Sequence, residues 1–428
     1  MRAKRPLLAG ASLAAVAAVA PDAANSGGHV TKETETAFSA LLAAAAMLPI
    51  VMLPVNSEAQ VAEQGANSSM LPVGATMGMR VLYYRESGDR MKVTEPVVWL
   101  KTPVADVWEI SLSGTLDIVS GASPEIVSNR SGTPVQILSG ASGAITDRRQ
   151  AGDFAIKRKF GEHTIGVTRS ISTEDDYTSY AAGANATFDF NDRNTTFALG
   201  YGKSNDRVRS TIDATLNARR DTRDYLLGIT QLLDRNALVQ SNLTRTIGKG
   251  YYDDPYRFTQ SLFRNGQLQS LSLIPDTRPA SRAQWAWLTR FKRSLPEQRA
   301  VVTAEYRYFT DDWGIRAHTL YGSWLQTASE FWKWEIGLRY YSQRQADFYR
   351  PEVLTRPTPM FTSSDQRIAG FGALEPSVKL IVQLTDGMSL DCGVSMYRQQ
   401  GNWKIGGGIP SFQPLQAVLL NVGLVHRF

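Results

Sequence analysis

From about residue 70 onward, apolar and polar side chains take alternate places along the chain, in stretches of about ten residues. Ten residues is the length a tilted strand needs to cross a bilayer. Around Glu109, the residues Trp108, Ile110, Leu112, Leu116 and Ile118 fall on one face, and Glu109, Ser111, Ser113, Thr115 and Asp117 on the other. Val302, Ala304, Tyr306 and Tyr308 are opposed in the same way by Thr303, Glu305 and Arg307. Trp332, Trp334, Ile336, Leu338 and Tyr340 alternate with Lys333, Glu335, Gly337 and Arg339. A helix would scatter these residues around its circumference, whereas a strand sorts them.

About sixteen such stretches can be counted, near 76–84, 91–101, 107–119, 148–160, 163–172, 178–190, 195–203, 221–232, 237–247, 283–294, 300–310, 315–327, 331–342, 372–384, 388–398 and 415–428. Short connections at 161–162, 191–194, 234–236, 295–299, 328–330 and 385–387 alternate with long ones at 121–147, 204–220, 248–282 and 343–371. Short turns on one side and long loops on the other predict an all-β fold, an antiparallel up-and-down transmembrane β-barrel with periplasmic turns and extracellular loops. An even strand count places both termini in the periplasm.

A soluble sandwich or propeller also alternates, and three features argue against it. The apolar face is rich in Trp and Tyr near strand ends, as interfacial girdles require. The strands exceed the five or six residues usual in soluble sheets. The last stretch carries Val418, Leu420, Val422, Leu424, His426 and Phe428 on one face and stops there. A terminal Phe428 is expected to serve as the signal for the outer-membrane assembly machinery, with His426 in a place where an aromatic is common.

Composition excludes several alternatives. Hydrophobic content is 43 % and charged content 20 %, and no apolar run of about 20 residues follows residue 60, so a helical membrane protein is not expected. The single cysteine, Cys392, rules out an intrachain disulfide framework and a thiolate zinc site. The net charge of +6 shows no basic stripe, so no nucleic-acid partner is expected. At the N-terminus, Arg2, Lys4 and Arg5 precede an apolar run from Leu7 to Ala20, the form of an export leader. A second apolar run, Phe38 to Val55, is either part of that leader or a retained helix, and Pro49 and Pro54 oppose a regular span. The expected organisation is a leader over 1–59 cleaved after Ala59, a short periplasmic segment over 60–75, and a barrel over 76–428. The expected location is the outer membrane of a Gram-negative bacterium.

Several phrases are similar to a bacterial family known only as domain of unknown function 3570. They are Ser120-Gly121-Ala122-Ser123-Pro124, Ser139-Gly140-Ala141-Ser142 leading to Asp147-Arg148-Arg149, Ser172-Thr173-Glu174-Asp175-Asp176-Tyr177 and Asp192-Arg193-Asn194-Thr195-Thr196. Gly250-Tyr251-Tyr252-Asp253-Asp254-Pro255-Tyr256, Asp276-Thr277-Arg278-Pro279, and Tyr306-Arg307-Tyr308 through Asp311-Asp312-Trp313-Gly314 complete the set. The resemblance spans roughly residues 76 to 428 and implies an outer-membrane barrel without an assigned activity.

Two sets of charges are candidates for function. Lumen-facing positions carry Arg290, Lys292, Arg307, Lys333 and Arg339 against Glu305 and Glu335, with Lys157 and Lys159 opposite Asp153. They form either a constriction favouring anions or mutually satisfied pairs bracing the lumen. Acidic residues at the outer rim, Glu174, Asp175 and Asp176, then Asp253 and Asp254, then Asp311 and Asp312, either hold calcium or bridge through cations to lipopolysaccharide, or simply cap turns beside anchoring aromatics. The Ser-, Gly- and Ala-rich loop 121–147 either folds inward as a constriction or is a plain surface loop, and the loop 248–282 either caps the barrel, binds a partner or is likewise a plain surface loop.

These features favour a porin-like channel for small polar solutes. The alternative is a plugged structural or partner-binding barrel, for example a sheath around a periplasmic or redox-active protein. An enzyme is the least favoured class. His163, His318 and His426 are followed two residues later by Ile165, Leu320 and Phe428 rather than Ser, and His318 with Asp312 is the nearest approach to a catalytic pair. Gly406-Gly407-Gly408 lacks the lysine of a phosphate loop. No cofactor is expected. The expected partners are outer-membrane lipid and lipopolysaccharide, the barrel assembly machinery and a periplasmic protein.

Overall fold

The computed structural model describes residues 72–89, 91–121, 126–130, 133–137, 145–264, 267–353, 359–408 and 412–428. The leader expected over 1–59, the cleavage after Ala59 and the segment up to residue 71 lie outside these residues. Sixteen strands make one closed sheet in chain order. They are β1 (Thr76–Glu86), β2 (Met91–Val104), β3 (Trp108–Gly121), β4 (Ile145–Phe160), β5 (His163–Thr173), β6 (Tyr177–Phe190), β7 (Thr195–Arg209) and β8 (Asn217–Asp234). There follow β9 (Ala237–Gly250), β10 (Ser281–Leu295), β11 (Ala300–Asp311), β12 (Arg316–Thr327), β13 (Trp332–Gln343), β14 (Phe371–Gln383), β15 (Met388–Gln400) and β16 (Leu415–Arg427).

Every neighbouring pair is antiparallel, and β16 returns to β1 with Gly423 opposite Arg80 and Val422 opposite Val81. Closure leaves no strand edge, so the backbone N–H and C=O groups of the sheet are satisfied without water, as hydrocarbon demands. Phe428 sits at this seam. Its N–H donates to the Ala75 carbonyl at 2.9 Å, and its own carbonyl accepts from Gly74 at 2.8 Å.

The two faces sort as the alternation requires. Leu112, Val167, Leu199, Leu227, Leu338 and Val422 point outward and are exposed, while Asp117, Asp206 and Asp224 point inward and are buried. Exposed Trp108, Tyr180, Tyr201, Tyr225, Trp285, Trp287 and Trp332 ring the apolar band. A closed antiparallel barrel with an outward apolar belt between aromatic girdles is the strand-built solution to a membrane, and this chain is an outer-membrane β-barrel. The seven turns on the side of the termini are two to four residues long. Gly161 takes φ +60° there, and Asn191 and Asp192 take the left-handed region at φ +52° each, which those residue types tolerate best.

The opposite side differs from expectation in one place. The loop expected over 204–220 is only 210–216, because β7 runs on to Arg209 and β8 begins at Asn217. Both faces of this stretch are polar, so hydropathy does not alternate there although burial does. Within 121–147 the described part is a small hairpin, Ile126–Arg130 with Thr133–Ile137, and the rest of that loop lies outside the described residues. Between β9 and β10, Phe258–Arg264 and Gln267–Pro275 form a second hairpin. Glu352–Val353, between β13 and β14, adds to it in parallel.

Two prolines interrupt the ladders. Pairing of β2 with β3 skips from Thr94 to Val97 across Pro96, and pairing of β14 with β15 skips from Leu374 to Ser377 across Pro376. Proline has no N–H to offer a ladder. Each follows a buried glutamate, Glu95 and Glu375.

Candidate functional site

The lumen is the candidate site, and register decides which inward side chains meet. In its periplasmic half, charges pair across strands. Glu109 of β3 lies opposite Lys157 of β4 and receives both Lys157 at 3.7 Å and Lys101 at 3.0 Å. Arg290 lies opposite Glu305 and bonds it at 2.5 Å. Lys379 reaches Glu335 at 3.4 Å, and farther up, just below the extracellular cluster, Arg339 pairs with Glu375. Arg80 of β1 bonds Asp391 of β15 at 3.1 Å across the intervening β16. The bridge passes over Gly423, where a Cβ would lie 2.5 Å from the Asp391 carboxylate, so any larger residue would displace it.

Of the sequence-predicted cations, Lys157, Arg290 and Arg339 face the lumen beside acids. Lys292 and Arg307 also face inward, and the Arg307 guanidinium lies 5.7 Å from the Phe309 ring. Lys159 and Lys333 are exposed at the periplasmic ends of their strands. Asp153, expected opposite Lys157 and Lys159, instead accepts from the Ser113 hydroxyl at 2.9 Å. Cross-strand neighbours, rather than positions along one strand, supply the partners. A trio that sequence reasoning missed, the buried Glu95 and Asp117 with the half-buried Arg149, lines β2 to β4, with Arg149 bonded to Asp117.

The extracellular half holds a buried cluster of wall and loop residues. Wall residues Leu82, Tyr84, Val93, Val119, Tyr341, Phe371, Tyr397 and Leu419 make one buried cluster with loop residues Tyr252, Trp313, Ile315, Phe348, Tyr349, Ile368 and Phe412. Trp313 meets Tyr252 and Phe348 edge-on at 5.4 and 5.2 Å, and Phe371 stacks on Phe412 at 5.0 Å. Three buried wall tyrosines satisfy their hydroxyls two residues along the same face. Tyr84 donates to Glu86 at 2.9 Å, Tyr341 to Gln343 at 2.5 Å and Tyr397 to Gln399 at 2.8 Å.

A charge-balanced lattice fastens the two largest loops to one another. The loop after β9 supplies Asp254, Arg257, Asp276 and Arg278, and the loop after β13 supplies Asp365 and Arg367. Asp365, 1 % exposed, takes Arg278 at 3.0 Å and Arg367 at 2.6 Å. Arg278 also bonds Asp276 at 2.6 Å, and Arg367 bonds Asp254 at 2.9 Å. Burial alone would raise the Asp365 carboxyl, but Arg257, Arg367 and Arg278 outweigh it and hold the group well below the usual carboxylate range. Backbone bonds between Thr277 and Thr362, at 2.9 and 3.0 Å, run beside the lattice. This arrangement packs part of the loop 248–282 against the barrel wall, with Tyr252 in the buried cluster.

On the facing wall, Arg220 of β8 is fully buried. It grips Asp206 at 2.6 Å and the Tyr177 hydroxyl at 2.9 Å, and its guanidinium lies 5.2 Å from the Tyr252 ring. Asp206 also accepts from Ser179 at 2.7 Å. Around this knot many inward residues of β5 to β8 are small or hydroxylic, and the buried hydroxyls of Ser170, Ser172 and Ser204 have no hydrogen-bond partner among the described residues.

The rim acids do not converge. Asp176 accepts from the Tyr256 hydroxyl at 2.5 Å, and burial with that bond pushes Tyr256 up to about 12, keeping it a donor. Asp253 caps the Arg278 N–H at 2.6 Å, Asp311 binds Arg282 at 2.6 Å, and Asp312 caps Ala283 at 3.0 Å. Asp175 is exposed. Among the described residues no three acidic, histidine or cysteine side chains are grouped to hold a metal. Turn capping with arginine partners describes these residues. His318 does not meet Asp312 either. It lies on the outward face, 2.8 Å from the Tyr306 hydroxyl.

The model of the family described as "Protein of unknown function (DUF3570)" matches residues 38–219 and 209–415. The chain belongs to that family. Among solved structures, the DUF3570 barrel is similar to a bacterial polysaccharide outer membrane secretin at 8 % identity, covering 83 % of this chain and 98 % of that one, with a TM-score of 0.45. It is also similar to CdiB from Acinetobacter baumannii at 8 % identity (82 % and 60 % covered, TM-score 0.49) and to the CymD monoaromatic hydrocarbon channel at 8 % (84 % and 89 %, TM-score 0.41). No curated protein matches the DUF3570 chain.

Proposed function

We propose that this outer-membrane barrel is closed at its extracellular mouth and presents a charged, solvent-reached vestibule to the periplasm, where it receives a periplasmic partner. The observation that supports this reading is the buried cluster joining wall and loop residues across the mouth, fastened by the six-residue ion lattice around Asp365. Below it, Lys101 and Glu109 remain 53 % and 31 % exposed. Paired charges there suit a polar protein surface better than an anion-selective ring, since Lys101, Lys157, Arg290, Lys379 and Arg80 each have an acid beside them. The positions of His318 and Asp312 support a non-enzymatic role.

A porin-like pore for small polar solutes, opened when the loops withdraw, is the second reading. The unpartnered hydroxyls of Ser170, Ser172 and Ser204 favour it, because a polar solute would satisfy them. Planar-bilayer recording separates the two. The purified wild-type barrel is expected to give no steady conductance. A stable, ohmic conductance from well-folded protein would overturn the closed reading in favour of the pore.

A further inference from the structure

The outward face of β7, β8 and β9 carries a group of six cations against a single acid, Asp221. Register places Lys203 directly opposite Arg223, and Arg207 directly opposite Arg219. Directly opposed like charges on one sheet face repel. Lys249 and Arg245 extend the group onto β9, opposite Asp221 and Tyr225. All six cations are exposed. Asp221 is the one acid at these register positions, and the Asn205 side chain already bonds it. None of the six has an ion-pair partner among the described residues, and Arg245 lies 4.9 Å from the Trp285 ring.

Their height in the membrane identifies what they face. The next outward pair toward the periplasm is Tyr201 opposite Tyr225, with rings 5.4 Å apart. Below those are Leu199 and Leu227, both exposed to lipid. Aromatic girdles mark the headgroup level, so Arg245 lies level with the outer girdle and the other five cations begin one register step above it, among the headgroups of the outer leaflet. Cross-strand side chains about 5 Å apart can share one phosphate, which arginine binds through a planar fork.

We infer that this patch is a binding site for the phosphorylated glycolipid headgroup of the outer leaflet, lipopolysaccharide. The ligand supplies the negative charge that the opposed pairs lack. The contact runs through cations, whereas the sequence pointed to the rim acids for it.

The test uses the full-length barrel in neutral detergent, with bis-phosphorylated lipid A as the probe and K203Q/R207Q/R219Q/R223Q as the variant. Lipid A is expected to bind wild type, and binding to fall at least about tenfold in the variant or when the lipid A is dephosphorylated. Inorganic phosphate at matched concentration is expected not to compete. In lipid-free detergent the variant is expected to unfold at the same temperature as wild type or higher, because repulsion has been removed, which separates lost binding from lost folding. Equal binding by the variant, equal binding of dephosphorylated lipid A, or full competition by inorganic phosphate would each overturn the assignment.

Discussion

Asp365→Ala is expected to lower the stability of the barrel by about 3–5 kcal/mol. The carboxylate is 1 % exposed and holds Arg278, itself 1 % exposed, and Arg367. Removing it leaves three guanidiniums, counting Arg257 at 3.8 Å, to share two carboxylates in a buried site. The result is a lattice with uncompensated charge, which is much worse than one replaced by apolar groups. Urea unfolding in lipid vesicles measures the loss, and bilayer recording is expected to show channel openings in this variant that wild type lacks. The acid response has a defined sign. A carboxyl held below its ordinary value of about 3.9 stabilises the fold at all higher pH and ceases to do so only as the pH falls through its folded value. The stability gap between wild type and Asp365→Asn is therefore expected to stay flat from pH 8 to about 5 and to shrink only below about 4. A gap that closed near neutral pH would remove Asp365 from the centre of the lattice.

Arg220→Met is the second large effect, again about 3–5 kcal/mol. The guanidinium is fully buried and satisfies the equally buried Asp206 carboxylate, which would be left with the Ser179 hydroxyl. Contact with the Tyr252 ring, which belongs to the mouth cluster, is lost at the same time. Combining Arg220→Met with Asp206→Leu is expected to restore most of the loss, because an apolar pair of similar volume avoids desolvating two charges. Unfolding midpoints of the two variants decide the point. A single variant within about 1 kcal/mol of wild type would mean that Asp206 finds another partner or reaches water.

The strands were legible because each crosses from oil to water and back on alternate residues. Leu112 and Asp117, or Leu338 and Arg339, declare their sides without any knowledge of neighbours. The upper ends of β7 and β8 were not legible. Lys203, Asn205, Arg207, Arg219 and Asp221 stand above the hydrocarbon, where the outward face is as polar as the inward one. Positions of the lumen charges were readable, but their pairing was not. Arg80 and Asp391 are 311 residues apart, and only closure of β16 onto β1 brings them over Gly423. The mouth was the least legible part. Asp254 and Arg367 are 113 residues apart on different loops. The acidic pairs stood out in the sequence, while the arginines that answer them, Arg257, Arg278 and Arg367, looked like ordinary loop charges.

In the proposed reading, a mouth sealed by packing and a vestibule lined with charges give the barrel an interior that communicates with one compartment. The lattice joins residues of both large loops, so in that reading loop movement and lumen access are coupled through Asp365.

One-sided access can be measured by placing a thiol in the vestibule. Ser111 faces the lumen on β3, opposite Lys101 and Ala155. The native Cys392 shares the outward face with Val422, its exposed register neighbour, and is replaced by alanine to leave one reporter. In the Ser111→Cys, Cys392→Ala barrel, a membrane-impermeant maleimide is expected to react when supplied from the periplasmic side and to leave the thiol unmodified when added outside intact cells. Equal labelling from outside would show a water path through the mouth and contradict the account.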